Sequence, residues 1–403
     1  VSLLIHSARV VQPGAAHGER VRDASAFRDA DDTTVVEDGW IHVVDGRVAA
    51  SGTGESWRAV ADHGSEIVDA AAVAGAGAVL TPGFIDLHGH GGGGHAYDDG
   101  ADAIRAARAM HRAHGTTRAV ISLVTAPVAE LADRVRVVAE LVRTDADVLG
   151  SHLEGPFLDR AHTGAHDENL LRPPHPAEIE ALLAAGAGTV RQITLAPELP
   201  GGLDAVRRAV AAGAAVAVGH TGADAEATAE AFDAGATILT HAFNAMPGLH
   251  HRLPGPVGAA LADGRVTLEA IADGVHLHPE IVRMLFAAAP GRVALVTDAM
   301  AAAGAAEGAY RLGGLDVTVA DGAVHLAGTD TIAGSTLTQD RALRIAVAAG
   351  VPLPAAVHAL TAAPARAIGR GDLGHLSRGA LGDLVLLSAD LEVAAVWTAG
   401  VRA

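Results

Sequence analysis

His88 and His90 lie two residues apart at the end of the apolar segment FIDLHGHGGGG. Side chains at i and i+2 of an extended strand share a face, so both imidazoles can reach one ion, with the following glycines clearing space around it. By itself the pair also fits an ordinary surface histidine pair. Glu154 ends the apolar run in GSHLEGPF, where Gly-Pro stops the strand, a place that an exposed acid also occupies. His220 in VAVGHTG and His241 in TILTHAFN each stand as the last residue of an apolar run, 21 residues apart, the span of one helix and two loops. Either could instead be a satisfied core or loop histidine. Asp298 closes ALVTDAM, where it could cap a following helix or move protons. Imidazole nitrogens with a carboxylate suit Zn²⁺ or Fe²⁺ and not Ca²⁺.

The elements that must position these side chains have a simple rhythm. From about residue 79, short apolar runs alternate with Ala-rich amphipathic segments, the pattern of βα units around a parallel sheet. Eight strands are expected, at 78–88, 117–125, 147–154, 189–197, 214–220, 236–241, 266–274 and 292–298. Eight is the number that closes a barrel, and all six candidate residues fall at C-terminal strand ends, where barrel active sites are built. The helices between them include ADAIRAARAMHRAHG, APVAELADRVRVVAELVR, DAVRRAVAAG, DAEATAEAFDAG and PEIVRMLFAAAPG, several stopped by Gly.

The flanks read differently. Residues 1–78 are expected to be β segments with an Asp45-Gly46 hairpin turn and a loop over 14–38, and residues 371–403 are β again. Neither flank can bury a large core alone, so the two are expected to pair into one small β-sandwich domain. Residues 79–370 then form an α/β (β/α)8 barrel of TIM type with a β-hairpin inserted near 310–330 and last helices at 335–350 and 354–368.

Composition narrows the chemistry. All 29 cationic residues are arginine, and the chain has no Lys and no Cys. This excludes Schiff-base and P-loop lysines, a carboxylated lysine bridging two metals, cysteine nucleophiles and disulfides. A bridging ligand would have to be Glu154, which leaves Asp298 as the strand-end carboxylate free to act as base and acid. The net charge of −18 argues against nucleic acid and anionic lipid as partners. Half of the residues are apolar, but polar residues break the runs well before the ~18 needed for a membrane span. VSLLIHSARVV carries no basic leader or cleavage site, so no signal peptide is expected and cytoplasm is the expected compartment.

At PGFIDLHGHG, HLEGPF, TGAH, VGHT, THAFNAMP, HRLPG, IADGVH, LVTDAM and AGSTLT the chain closely resembles the N-acetylglucosamine-6-phosphate deacetylases of the amidohydrolase superfamily. PARAIG and GDLVLL extend the resemblance into the C-terminal segment. It implies that Glu154, His220 and His241 hold the principal divalent metal, Zn or Fe, and that His88 and His90 can hold a second, one or two ions per subunit. It further implies that His166 contacts the sugar and acetyl region, Asn244 and Ala245 the phosphate end, Arg252 the phosphate and His276 the sugar. HRLPG departs from the family pattern at Leu253, a position that often holds Glu.

The implied reaction is hydrolysis of N-acetylglucosamine 6-phosphate to glucosamine 6-phosphate and acetate, with a metal-activated water as nucleophile and Asp298 as general base and acid. The resemblance also implies a homodimer in which the phosphate-binding arginine reaches the neighbour's site. N-acetylgalactosamine 6-phosphate is the alternative substrate, because one hydroxyl separates the epimers. Dihydroorotase-like and acyl-amino-acid hydrolases would want a bridging Lys or Cys, and a non-catalytic assembly subunit would be expected to have lost these ligands.

Overall fold

A computed structural model describes residues 2–13 and 33–403. Its central sheet has eight strands, Phe84–Asp86, Thr116–Val124, Val148–Glu154, Val190–Leu195, Ala215–Val218, Ile238–Leu239, Thr267–Ala270 and Val293–Leu295. Each pairs in parallel with its successor in sequence. The first and eighth strands meet just beyond their ends, where Asp298 N donates to His88 O (2.8 Å) and His90 N to Ala299 O (2.7 Å). The expected (β/α)8 barrel is therefore present. Its strands are buried on both faces, which is why they read as apolar runs and not as alternating ones.

The connecting helices turn one stripe inward. In Val128–Thr144, Leu131, Val135 and Val138 recur at helical spacing and are buried, and Asp224 caps Ala225–Asp233 by accepting from Ala227 N at 2.9 Å. Pro176–Gly186 and Gly255–Ala262 complete the ring alongside the expected helices.

Three expectations need correction. The apolar run at 78–88 is not one strand: Val79–Pro82 pairs with Ser2–Gln12 and Leu384–Leu387, and only Phe84–Asp86 enters the barrel. Gly83 makes the transition, since a Cβ there would come within 2.1 Å of Thr117 Oγ1. Apolar runs do not reveal which sheet they join. The insertion expected as a hairpin near 310–330 is a three-stranded meander, Gly308–Leu312, Leu315–Ala320 and Ala323–Leu326. Val317, Val319 and Val324 pack it onto Met300 and Ala301, so it covers the loop that follows Asp298. Of the loop expected over 14–38, residues 14–32 lie outside the described residues, while the remainder runs into strand Thr34–Val44.

The two ends of the chain combine in a second, separate sheet of eight strands. Ser2–Gln12 is its hub, pairing with Thr34–Val44 along its length and with Glu66–Asp69 and Val79–Pro82 in successive halves. The halves are offset around Ser7, whose φ is +59°. Asp45 and Gly46, with φ of +48° and +77°, make the expected turn of the Thr34–Val44 hairpin. Leu3, Ile5, Leu80, Leu384, Leu386 and Trp397 form this sheet's own core. Arg118 ties it to the barrel through a buried two-pronged contact with Asp383, at 2.6 and 2.9 Å. Among the described residues, no helix is long and apolar enough to cross a membrane.

Candidate metal and active site

Glu154 ends the third barrel strand and stands at the centre of five imidazoles. Its Oε1 lies 3.2 Å from His88 Nε2, 3.2 Å from His220 Nε2 and 3.3 Å from His241 Nε2. Its Oε2 lies 3.1 Å from His90 Nε2 and 3.6 Å from His166 Nε2. Asp298 Oδ1 approaches the same group from the eighth strand, 3.2 Å from His90 Nε2 and 3.6 Å from His88 Nε2. All seven residues are buried. The six strand-end residues singled out from the sequence thus converge, and each Glu154 oxygen meets members of both histidine sets, Oε1 facing His88 with His220 and His241 and Oε2 facing His90 with His166.

His220, His241 and Asp298 are not the last residues of regular strands. They sit two or three positions beyond, in left-handed backbone with φ of +48°, +25° and +48°. This uncommon conformation turns the chain at each strand end and aims the side chain across the barrel mouth. The glycines after His90 also differ from their expected purpose. A Cβ at Gly91 would come within 2.3 Å of His95 O, so Gly91 admits the chain's own His95–Ala96 strand.

Hydrogen bonding assigns nitrogens. His220 Nδ1 donates to His162 O at 3.0 Å, and His88 Nδ1 to Glu269 Oε2 at 3.1 Å, which frees both Nε2 atoms. His88 Nε2 is buried without a hydrogen-bond partner, as are Nδ1 of His90, His166 and His241. Two donor groups result, His88 with His90 and Asp298, and Glu154 with His166 and His220, each able to hold an ion. His241 Nε2 lies 3.0 Å from His220 Nε2 and borders the second group.

Charge follows from the same packing. Burial would raise the carboxyls of Glu154 and Asp298, but neighbouring histidines outweigh it and hold both below the usual carboxylate range. Burial opposes charge on His90, yet Asp298 and Glu154 push it up to about 9. His166, with burial reinforced by His220, is lowered to about 3 and stays neutral.

The other expected substrate contacts are placed less centrally. His276 Nδ1 holds Asp273 Oδ2 at 2.7 Å; burial opposes charge on this imidazole, but Asp273 and, less strongly, Asp298 raise it above the usual histidine range. Asn244 Nδ2 donates to His241 O and Ala242 O at 3.2 and 3.3 Å, and Ala245 is left-handed with φ +49°. Arg252 is exposed, between exposed Leu249 and Leu253, and its guanidinium makes no hydrogen bond or ion pair among the described residues.

The chain matches the Amidohydrolase family over residues 79–402. It belongs to that family. N-acetylgalactosamine-6-phosphate deacetylase of Escherichia coli O157:H7 is 40% identical over 328 residues, covering 80% of this chain and 87% of the relative. N-acetylglucosamine-6-phosphate deacetylase of Homo sapiens is 37% identical over 342 residues, covering 80% and 83%. Among solved structures, a variant N-acetyl-D-glucosamine-6-phosphate deacetylase of Mycobacterium smegmatis, in complex with N-acetyl-D-glucosamine-6-phosphate, superposes with a TM-score of 0.89. It is 41% identical, and the match covers 100% of this chain and 99% of that one. Amidohydrolases are metal-dependent hydrolases, and the buried nitrogen and carboxylate donors of this one fit such an ion.

The sequence reading missed the residues behind the amidohydrolase site. Glu269, in the seventh strand and fully buried, accepts from His88 Nδ1 and, at 2.7 Å, from Gln192 Nε2. Its signal was an acid inside the apolar run VTLEAIADG. Asp86 accepts from Thr297 Oγ1 at 2.6 Å, and burial pushes it up to about 6. Glu269→Gln should weaken metal binding at His88 by roughly 10–100-fold, because Gln would present an N–H donor where one of the two N–H groups needs an acceptor. Competition with a chelator of known affinity measures this, and an unchanged affinity would make Glu269 a packing residue only.

Proposed function

We propose that this amidohydrolase removes the acetyl group of N-acetylglucosamine 6-phosphate, yielding glucosamine 6-phosphate and acetate. The observation that carries the reading is Glu154 within 3.1–3.6 Å of five imidazoles, with Asp298 3.2 Å from His90. In this reading Glu154, His220 and His241 hold the principal ion, Zn or Fe, and His88 and His90 a second. Such an ion polarises the acetamide carbonyl and lowers the pKa of the attacking water.

The remaining work falls to the protein. Asp298, ionised among histidines, takes the proton of the attacking water and delivers it to the departing sugar nitrogen, so one carboxylate serves twice. Neutral His166 meets the acetyl and sugar region, and His276, with Nδ1 fixed on Asp273, offers Nε2 to a sugar hydroxyl. The backbone of Ala245 and the amide of Asn244 face the phosphate end, where a phosphate oxygen would replace one of Asn244's carbonyl acceptors. Arg252 supplies the cation that a dianionic substrate needs in a chain of net charge −18. We place the enzyme in the cytoplasm as a homodimer.

Arg252→Ala should raise KM for the phosphorylated substrate roughly 10–150-fold, the equivalent of ~1.5–3 kcal/mol for a charge-assisted contact. Hydrolysis of unphosphorylated N-acetylglucosamine should barely change. Equal loss on both substrates would make Arg252 structural. In heterodimers of Arg252→Ala and Asp298→Asn subunits, recovered activity would show that the arginine serves its neighbour's site, and no recovery would keep it within its own.

N-acetylgalactosamine 6-phosphate is the second reading, favoured by the 40% identical relative that bears that name. Acetate release from the two 6-phosphorylated epimers, with defined metals, tests the proposal and ranks the substrates. Release from neither would refute it.

A further inference from the structure

The barrel has a seam that its strands do not close by themselves. Phe84–Asp86 and Val293–Leu295, the first and eighth strands, share no ladder among the described residues. Backbone hydrogen bonds cross between their segments only higher up, beginning with Asp298 N to His88 O and His90 N to Ala299 O. Two buried side chains fill the gap below. Gln339, at the start of helix Gln339–Ala348, donates Nε2 to Ile85 O at 2.9 Å and to Leu295 O at 3.3 Å, one carbonyl from each strand. Its Oε1 accepts from Thr116 Oγ1 at 3.2 Å, which fixes the direction of the amide.

Asp86 bridges the seam one step nearer the mouth. Its Oδ2 accepts from Thr297 Oγ1 at 2.6 Å, and its Oδ1 accepts from the backbone N–H groups of His88 at 3.2 Å and Thr297 at 3.3 Å. Thr297 immediately precedes Asp298, while Asp86 stands two residues before His88 and four before His90. These hydrogen bonds reach the first and eighth strand ends and none of the segments that bear Glu154, His166, His220 or His241. The spacing within the donor group of His88, His90 and Asp298 is therefore set across a gap, with side chains standing in for a ladder.

We propose that Asp86 is a positioning residue for the deacetylation: its grip on Thr297 fixes Asp298 relative to His88 and His90, and so holds the second ion and aligns the base. This role rests on the reading of those three residues given above. A displacement of about 1 Å at a reacting group can cost on the order of 10²-fold in rate, so a seam that gives slightly should show in kcat before it shows in KM. The principal ion, bound by segments that Asp86 does not touch, should stay.

The test compares Asp86→Ala, Asp86→Asn and Thr297→Val in the full-length, metal-replete protein. By elemental analysis Asp86→Ala should hold one ion per chain where the unsubstituted protein holds two, and its kcat should fall roughly 10–100-fold with KM within about threefold. Asparagine can accept from both N–H groups and donate to Thr297 Oγ1, whose hydroxyl then turns to His88 O at 3.3 Å, so Asp86→Asn should restore the second ion and most of kcat. Thr297→Val should repeat the alanine effect more weakly, and the double variant should be no worse than Asp86→Ala, as for two ends of one interaction. If the alanine variant does not fold, Thr297→Val carries the same comparison. Two ions and native kcat without the clasp would overturn the role, as would loss of both ions together with a raised KM, the mark of a folding residue. An asparagine variant as impaired as alanine would overturn it too, by making charge the requirement. One ion per chain in the unsubstituted protein would instead refute the second-ion reading, and this role with it.

Discussion

Asp298→Asn is expected to lower kcat by roughly 10²–10⁴-fold, the usual contribution of a positioned general acid–base group. Its KM and metal content should stay close to those of the unsubstituted enzyme. The backbone of Asp298 is held independently of its carboxylate: N donates to His88 O at 2.8 Å and O accepts from Ser335 N at 2.7 Å. Asparagine keeps the shape and tolerates the left-handed conformation at φ +48°, so the backbone turn survives while the ionised carboxylate beside His90 is lost. Single-turnover kinetics with metal analysis check this. Near-native turnover would show that another group is the base, and loss of metal would make Asp298 a ligand beside His88 and His90.

Glu154→Gln and His220→Ala should each remove the principal ion and nearly all activity, whereas His88→Ala or His90→Ala should lower metal stoichiometry and retain part of the activity. The asymmetry follows from position. Glu154 uses one oxygen toward His88, His220 and His241 and the other toward His90 and His166, so replacing it disturbs both sets at once. It also leaves five buried imidazoles without their central counter-charge, and breaking a buried ion pair typically costs about 3–5 kcal/mol. Elemental analysis and circular dichroism on the same samples separate metal loss from unfolding. A metal-replete unsubstituted enzyme with one ion per chain would count against the His88 and His90 site, and a fully active Glu154→Gln would remove the bridging carboxylate from the scheme.

The residues that meet at the barrel mouth were legible because a barrel reads out its own geometry. Apolar runs repeated at βα spacing place every strand's C-terminal end on one face, so His88, His90, Glu154, His220, His241 and Asp298 must approach one another once the sheet closes. Absence of Lys and Cys then restricted the bridging ligand to a carboxylate. Asp45-Gly46 likewise marked its turn, because two successive residues with positive φ favour that pair.

Other features depend on which segments pack together, information that no local pattern carries. Val79–Pro82 and Phe84–Asp86 form one apolar run, yet hydrogen bonding to Leu384–Leu387 draws the first into the terminal sheet. Glu269 and Gln192 come from different strands 77 positions apart, and their contact behind His88 exists only in the closed barrel. The sequence by itself determined the barrel, the imidazole and carboxylate donor types and the end of the barrel where they gather, since composition and strand period act locally. Tertiary structure alone decided the left-handed turns at His220, His241 and Asp298, the orientation of His88 by Glu269 and the exposed position of Arg252, because each depends on neighbours supplied by distant strands and loops.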